Sequence, residues 1–392
     1  MNPRLLSQSI KARAAQLGFG PVGIADAGKS RHMDLYRGWI ERGAHGEMEY
    51  LARPDAVARR ADLQLTLEGA RSVVVVADQY SQEDPPGVPD DPSRAVIARY
   101  ARGDDYHEVM KRRLEELLTW IQDDVREPVA GRVYIDTGPI LERELASRAG
   151  LGWFGKNTML IDPKRGSYFF VGVLLLDLEI EPDEPFTEDR CGTCTACLDA
   201  CPTGALLGRD EDGAPVIEAT RCISYLTIEH RGPIPRELRA LMGNRVYGCD
   251  ICQEVCPWNE RFAEPSDELA YRATEGLDGP TLVDLAERLL GLTEKGFLRE
   301  FAGSPMTRAR RKGLLRNVCV ALGNWGAEEA VPTLVSALSD PARLVRGHAA
   351  WALGRVGSPV ALDALSSRLA DESDGFVLEE IGLAVGRRAP SA

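Results

Sequence analysis

No apolar run in this 392-residue chain approaches the roughly 20 residues that a bilayer-spanning helix needs. The opening segment also lacks the apolar core of a signal peptide. Met1 to Gly20 spaces Leu5, Leu6, Ile10, Ala14 and Leu17 as an amphipathic helix, and no twin-arginine export signal accompanies it. Neither a membrane anchor nor an export route is expected. A basic excess is lacking too: the formal net charge is −13. That argues against indiscriminate nucleic-acid binding, which rests on clustered Lys and Arg, while leaving room for a local basic patch.

What the chain does have is cysteine in two dense runs. The first is Cys191-x-x-Cys194-x-x-Cys197-x-x-x-Cys201-Pro202, and the second is Cys249-x-x-Cys252-x-x-x-Cys256-Pro257. A shift of 55 positions superposes Cys194, Cys197, Cys201 and Pro202 on the second run, and leaves Val246 opposite Cys191. Valine cannot ligate iron, so Cys222 is the thiol available to complete the set. In two-cluster ferredoxins the last cysteine of each run serves the other run's cluster. That crossover gives Cys191, Cys194, Cys197 and Cys256 to one 4Fe–4S cluster, and Cys201, Cys222, Cys249 and Cys252 to the other. Zinc would use two separated pairs and has no need of four cysteines in eleven residues followed by proline. Disulfides do not suit this tight spacing in a chain without a secretory signal. The ninth cysteine, Cys319, sits in an apolar helical stretch and reads as a small buried hydrophobe. Oxygen-sensitive clusters in a chain that opens without a leader lead us to expect a cytoplasmic protein.

Three domains are expected in an α+β multidomain fold. Residues 1–182 read as a sheet domain of α/β character, 183–265 as a ferredoxin-like domain holding two clusters, and 266–392 as a helical region. In the first, Arg71 to Ala77 and Tyr168 to Leu178 read as buried strands and Arg132 to Asp136 as a short one. Asp105 to Val125 has helical spacing. Pro139 opens a helix over Ile140 to Arg148 that Gly150 would close, and Arg53 to Arg60 reads as a loop. In the last region Ala321 to Gly326 matches Ala352 to Gly357 at a shift of 31, with a partial third copy at Ala384 to Gly386. A period of that length with glycine at the turns resembles HEAT-type repeats.

Clusters move electrons but do not name a substrate. The signal for chemistry lies between Asp136 and Ile161. Asp136 stands where a strand gives way to a helix; it could act in catalysis, or merely accept amide hydrogen bonds as an N-cap. Gly152-Trp-Phe-Gly155-Lys-Asn157 is glycine-rich, but it matches neither the Walker nor the dinucleotide fingerprint.

Taken together, Tyr100 to His107, Asp136 to Glu144, Gly152 to Thr158, Cys191 to Cys201, Cys222 to Glu229, Gly243 to Asp250 and Cys256 to Asn259 resemble the epoxyqueuosine reductase family, in its order and spacing. The resemblance spans about residues 40 to 262, and a helical repeat tail also occurs in that family. It implies a cobalamin-dependent enzyme that deoxygenates epoxyqueuosine at the wobble position of tRNA. Electrons would come from a low-potential donor through the clusters. The chain has no Asp-x-His-x-x-Gly signature of base-off corrinoid binders, which agrees with a family in which no protein histidine ligates cobalt. The resemblance makes Asp136 the proton donor to the departing oxygen, for which burial against the corrin is expected. It makes Arg60, or the adjacent Arg59, a cobalamin contact, and it gives Asn157 and Ser224 similar roles. For Ser224 a structural bond to the cluster loop is the alternative. A monomer is implied.

Arg308, Arg310, Arg311, Lys312 and Arg316 place five cations in nine residues without an acid. Arg310, Arg311, Lys312 and Arg316 are candidates for phosphate contacts on tRNA, with Arg231 as a further one; a solvated helix face is the alternative. Reading one splayed wobble base suits single-strand RNA recognition. Two competing functions are a reductive dehalogenase with the same cofactors, and an electron carrier whose sheet domain only docks partners.

Overall fold

The computed structural model describes residues 2–125 and 127–386. The chain forms two compact units. One comprises Met1–Glu83, Asp104–Thr220 and Asp250–Arg272; the other comprises Asp84–Gly103, Arg221–Cys249 and Ala273–Ala392.

The first unit is built on a four-stranded sheet of β1 (Val22–Asp26), β2 (Ser72–Gln79), β3 (Gly131–Tyr134) and β4 (Phe169–Leu176), in the order β1-β2-β4-β3. Every pairing is antiparallel, with Val75 opposite Val173 and Tyr134 opposite Val173 on its other side. Both faces of the sheet are covered, so β2 and β4 are continuous apolar runs where an antiparallel sheet wetted on one face would alternate. One face packs on the helix Tyr106–Asp124: a side chain at Gly172 would strike Leu114 and Met110. The other face, through Val73, Val75, Val173 and Leu175, packs on Leu145, Ala146 and Ala149 of the helix Glu142–Arg148 and its cap.

Local boundaries follow from caps. Asp105 accepts the amide of His107 and starts the long helix one residue after the expected point. The helix Glu142–Arg148 ends in a Schellman arrangement, with Gly150 at φ +80°, its amide on Ser147 and that of Leu151 on Ala146. That helix begins later than expected, because the chain after β3 stays irregular through Ile140. Residues 54–61, expected as a loop, form a helix instead: Pro54 occupies its first turn, where a missing amide costs nothing.

In the second unit the helices Arg310–Trp325, Arg343–Val356 and Gly375–Gly386 stack in succession. The 31-residue period has a packing cause. A side chain at Gly323 would meet Ala352, and one at Gly354 would meet Ala384, so each repeat keeps glycine where the next helix approaches. Gly326 and Gly357 end their helices in the left-handed conformation. Cys319 is fully buried and Val246 likewise, as their apolar readings require. Among the described residues no helix is long and apolar enough to cross a membrane.

Candidate functional site

Asp136 lies on the loop that leaves β3, six residues ahead of the helix Glu142–Arg148. The N-cap position of that helix belongs to Leu141, so Asp136 does not cap it. Its backbone is left-handed, at φ 57°, a conformation that costs most side chains but is tolerated by Asp and Asn. The carboxylate is held from the long helix. Tyr106 Oη donates to Asp136 Oδ2 at 3.0 Å, and His107 Nε2 lies 3.9 Å from the same oxygen. Tyr106 is itself sandwiched, stacked on Phe170 at 4.0 Å and 4° and on the His107 ring at 4.0 Å. His107 is anchored from behind by Asp105, whose Oδ1 is 2.6 Å from Nδ1. Burial opposes ionisation of Asp105, but the hydrogen bond and charge of His107 outweigh it and hold the carboxyl below its ordinary value. An aromatic, an imidazole and two carboxylates thus converge on one loop.

A third carboxyl joins them. Glu142 Oε1 is sealed from solvent without a hydrogen-bond partner. Burial, and next the negative charge of Asp136, push the Glu142 carboxyl up to about 8, with its own backbone amide, Arg60 and Arg143 only partly opposing. Arg60 is buried over the ring of Tyr36, 5.4 Å from its centre, and donates to the Ala56 carbonyl at 3.3 Å, whereas Arg59 is exposed. Of the two arginines, Arg60 is therefore the one turned inward. Tyr106, His107 and Glu142 had no role assigned from sequence. The available signal was their place inside the quoted motifs, and the scarcity of histidine, five in the whole chain.

Cys191, Cys194, Cys197 and Cys256 ring a cavity of about 330 Å³ together with Asn157 and Trp258. Burial and then the three neighbouring thiols push Cys197 up to about 11. Burial raises Cys256 in the same sense, and a cationic iron core would supply the charge that favours the thiolates. No three His, Cys, Asp or Glu side chains among the described residues close on a point as one metal ion requires. Lys156 pins the loop by donating to the Gly192 and Cys194 carbonyls, at 2.8 and 2.9 Å. Asn157, 2% exposed, donates to the Cys252 carbonyl at 3.2 Å and accepts the Met159 amide. Its amide thus ties the Gly152–Thr158 loop to the cluster loops while it also lines the cavity. Cys201 and Cys252 belong to the first unit, and Cys222 and Cys249 to the other. Ser224 is half-buried in the first turn of the helix that Cys222 caps.

The basic segment divides by burial. Arg316 is 1% exposed and donates to the carbonyls of Leu226, His230 and Gly232. Arg311 is buried, with Nη2 2.6 Å from Asp340 and Nε on the Leu289 carbonyl. Both are structural, which corrects their expected role on RNA: a guanidinium saturated inside the fold cannot also bind phosphate. Arg310 and Lys312 are exposed. Arg231 is exposed and donates to the Arg308 carbonyl at 2.8 Å, while Arg308 pairs with Glu229.

A ring of ferredoxin-type cysteines in one unit with a sheet that presents an acid on a loop defines an iron–sulfur oxidoreductase. Family models agree along the chain. Residues 60–137 match "Epoxyqueuosine reductase QueG, DUF1730", 190–259 match a 4Fe-4S double cluster binding domain, and 306–386 match HEAT repeats. Epoxyqueuosine reductase of Pseudomonas aeruginosa is 42% identical over 91% of this chain and 96% of its own length; that of Escherichia coli is 38% identical over 89% of each. A solved epoxyqueuosine reductase bound to an epoxyqueuosine-modified tRNA-Tyr stem loop superposes with a TM-score of 0.86, at 31% identity over 97% of this chain and 98% of that one. A Bacillus subtilis enzyme solved with its catalytic aspartate loop swung out of the active site also gives 0.86, at 30% identity over the same shares. The chain belongs to the epoxyqueuosine reductase family, and it carries the motif for two 4Fe–4S clusters.

Proposed function

We infer that the chain reduces epoxyqueuosine to queuosine at the wobble position of tRNA. The observation that carries this is an acid-bearing loop, inside the segment matched by the family's own model, on a fold that superposes over nearly its whole length on a relative holding the modified stem loop. The reaction takes two electrons and two protons, removes the epoxide oxygen as water and leaves the cyclopentene.

Cobalamin is the proposed partner of the clusters; when bound it would supply the low-potential centre that opens the ring. The residues fit a corrinoid held without a protein imidazole. His107 is held between Asp105 and Asp136, His32 lies 3.5 Å from Glu144 with its ring against Phe154, and His45 is buried against Trp39. Arg60, Asn157 and Ser224 are assigned to it from the family pattern. Asp136 delivers the proton to the opened oxygen, and such an acid is worth roughly 10²–10⁴-fold. Tyr106 and His107 orient its carboxyl. A swung-out aspartate loop in the B. subtilis relative supports a mobile role for the corresponding loop here. The eight cysteines divide as the crossover assigns them. Arg231, Arg310 and Lys312 are the proposed phosphate contacts, the electrons come from a low-potential donor, and the enzyme works as a cytoplasmic monomer.

Anaerobic incubation of the reconstituted protein with tRNA carrying epoxyqueuosine, followed by nucleoside mass spectrometry, tests the reading. Queuosine is expected. Turnover of an organohalide without turnover of the tRNA would favour the dehalogenase, and an unaltered cobalamin spectrum on mixing would favour the electron carrier.

A further inference from the structure

The cavity ringed by Cys191, Cys194, Cys197 and Cys256 has a back and a mouth. At the back Asn157 and Cys256 are buried, and Asn157 donates to the carbonyl of Cys252 in the second cysteine run. At the mouth Cys194, Arg190 and Arg261 are exposed. Asp136, Tyr106 and His107 do not line the cavity, so the acid-bearing loop is no part of it. Among the described residues the charged side chains that line it are Lys156, Arg190 and Arg261, all cations. In a chain of net charge −13 that is a local reversal. Lys156 is spent on the Gly192 and Cys194 carbonyls. The two arginines are held at the surface instead. Arg190 lies over the Phe186 ring at 5.2 Å and Arg261 over Phe262 at 5.1 Å, with Trp258 stacked on Phe262. Of the carboxylates beside them, Asp189 is turned to the Cys191 amide and Arg209, and Glu188 pairs with Arg190 at 2.7 Å. Such an exposed pair contributes little to stability. Arginines stacked on aromatics match the composition of protein-binding surfaces.

We propose that this mouth is where electrons enter, and that Arg190 and Arg261 dock an acidic, low-potential one-electron carrier protein there. The proposal deepens the reductase reading and rests on it only for the need of electrons. Electron transfer between two proteins falls off steeply with distance, so the carrier must sit where a cluster ligand reaches the surface, and Cys194 is the exposed member of this ring. Cations around that point attract carboxylates on the carrier, speed the encounter and fix its orientation. The net negative charge of the chain disfavours an acidic protein elsewhere on the surface. At each encounter the carrier's reduced centre loses one electron and the cluster gains it. No bond or proton changes hands, and two encounters supply the two electrons of one turnover. Cations can also balance the charge of a cluster with four thiolates, but Lys156, bonded to the cluster loop, already serves that purpose. RNA phosphates would be drawn to the same charges; the exposed thiol inside the ring favours the carrier.

Stopped-flow reduction of the iron-loaded enzyme, without tRNA, tests this with two reductants. One is reduced plant-type ferredoxin, an acidic low-potential carrier; the other is the methyl viologen radical cation, which needs no docking surface. The variants are Arg190→Gln with Arg261→Gln, and Arg190→Lys with Arg261→Lys as the pair that keeps the charge. In the Gln pair the second-order rate with ferredoxin at low salt should fall roughly tenfold or more and lose most of its salt dependence. The Lys pair should recover most of it. The viologen rate, the iron content and the reduction potential from an EPR-monitored titration should stay at their wild-type values. An unchanged ferredoxin rate in the Gln pair would overturn the proposal, and so would a wild-type enzyme that viologen reduces and ferredoxin does not. Slower reduction by both reductants, or a shifted potential, would overturn it in favour of cations that tune the cluster. Weaker binding of a tRNA stem loop with an unchanged ferredoxin rate would mark the mouth as an RNA surface. Reduction is read here without substrate, so a failure leaves the deoxygenation itself to be decided by nucleoside analysis.

Discussion

Tyr106 Oη donates to Asp136 Oδ2 at 3.0 Å while its ring lies flat on Phe170, 4.0 Å away and within 4° of parallel. The stack removes the ring's freedom, and the hydrogen bond passes that rigidity to a carboxylate on an otherwise irregular loop. Phe170 belongs to β4, so the Asp136 loop is registered against the central sheet through one aromatic pair. The left-handed backbone at Asp136 is the local cost of aiming the side chain there.

Tyr106→Phe keeps the stack and deletes only the hydroxyl. Hydrogen bonds to charged groups contribute about 1.5–3 kcal/mol, so single-turnover conversion should fall roughly 10- to 100-fold with unchanged iron content. Stopped-quench assays with nucleoside analysis would measure it. A wild-type rate would mean that His107 alone orients the acid.

Asp136→Asn should load its clusters normally and melt at the wild-type temperature. Asp136 caps no helix, and Asn accepts the left-handed backbone as readily. Conversion should drop by about two to four orders of magnitude because the amide has no proton to give. Unimpaired turnover would leave water or another group as the acid.

Cys222→Ala should cost one cluster of two. Iron analysis should fall from roughly eight to roughly four atoms per chain, because the crossover leaves the other cluster with all its thiolates. Retention of the full complement would remove Cys222 from the ligand set.

Arg310→Ala with Lys312→Ala should weaken tRNA binding and flatten its salt dependence by about one counterion per lost phosphate contact, leaving the melting temperature unchanged. Arg311→Ala and Arg316→Ala should act in the opposite sense, lowering the melting temperature first. Each strips a buried hydrogen-bond set: the Asp340 and Leu289 partners in one case, three carbonyls in the other. Affinity that is flat across a salt series in the double variant would return those residues to a solvated face.

Cysteine spacing, the 31-residue period and the two long apolar strands were legible in the chain itself, because each is a local repeat with a physical period. Thiolates must reach one cubane from neighbouring residues, glycine must recur where a helix meets the next, and a strand covered on both faces has no polar position. The edge strand β1 was not legible. It is short and holds Gly23, where any side chain would run into the Ala149 carbonyl, a contact made by residues 126 positions apart. The same holds for the charges. Five cations in nine residues look alike in sequence, yet Arg311 and Arg316 are consumed by partners at Asp340, Leu226 and Gly232, while Arg310 and Lys312 face water. Glu142 reads as one more helical glutamate until the fold seals its oxygen beside Asp136. Composition and spacing therefore determined the iron–sulfur cofactor class. Which acids and bases keep water, a proton or a partner was decided only by packing, since solvation depends on neighbours that the order of residues does not display.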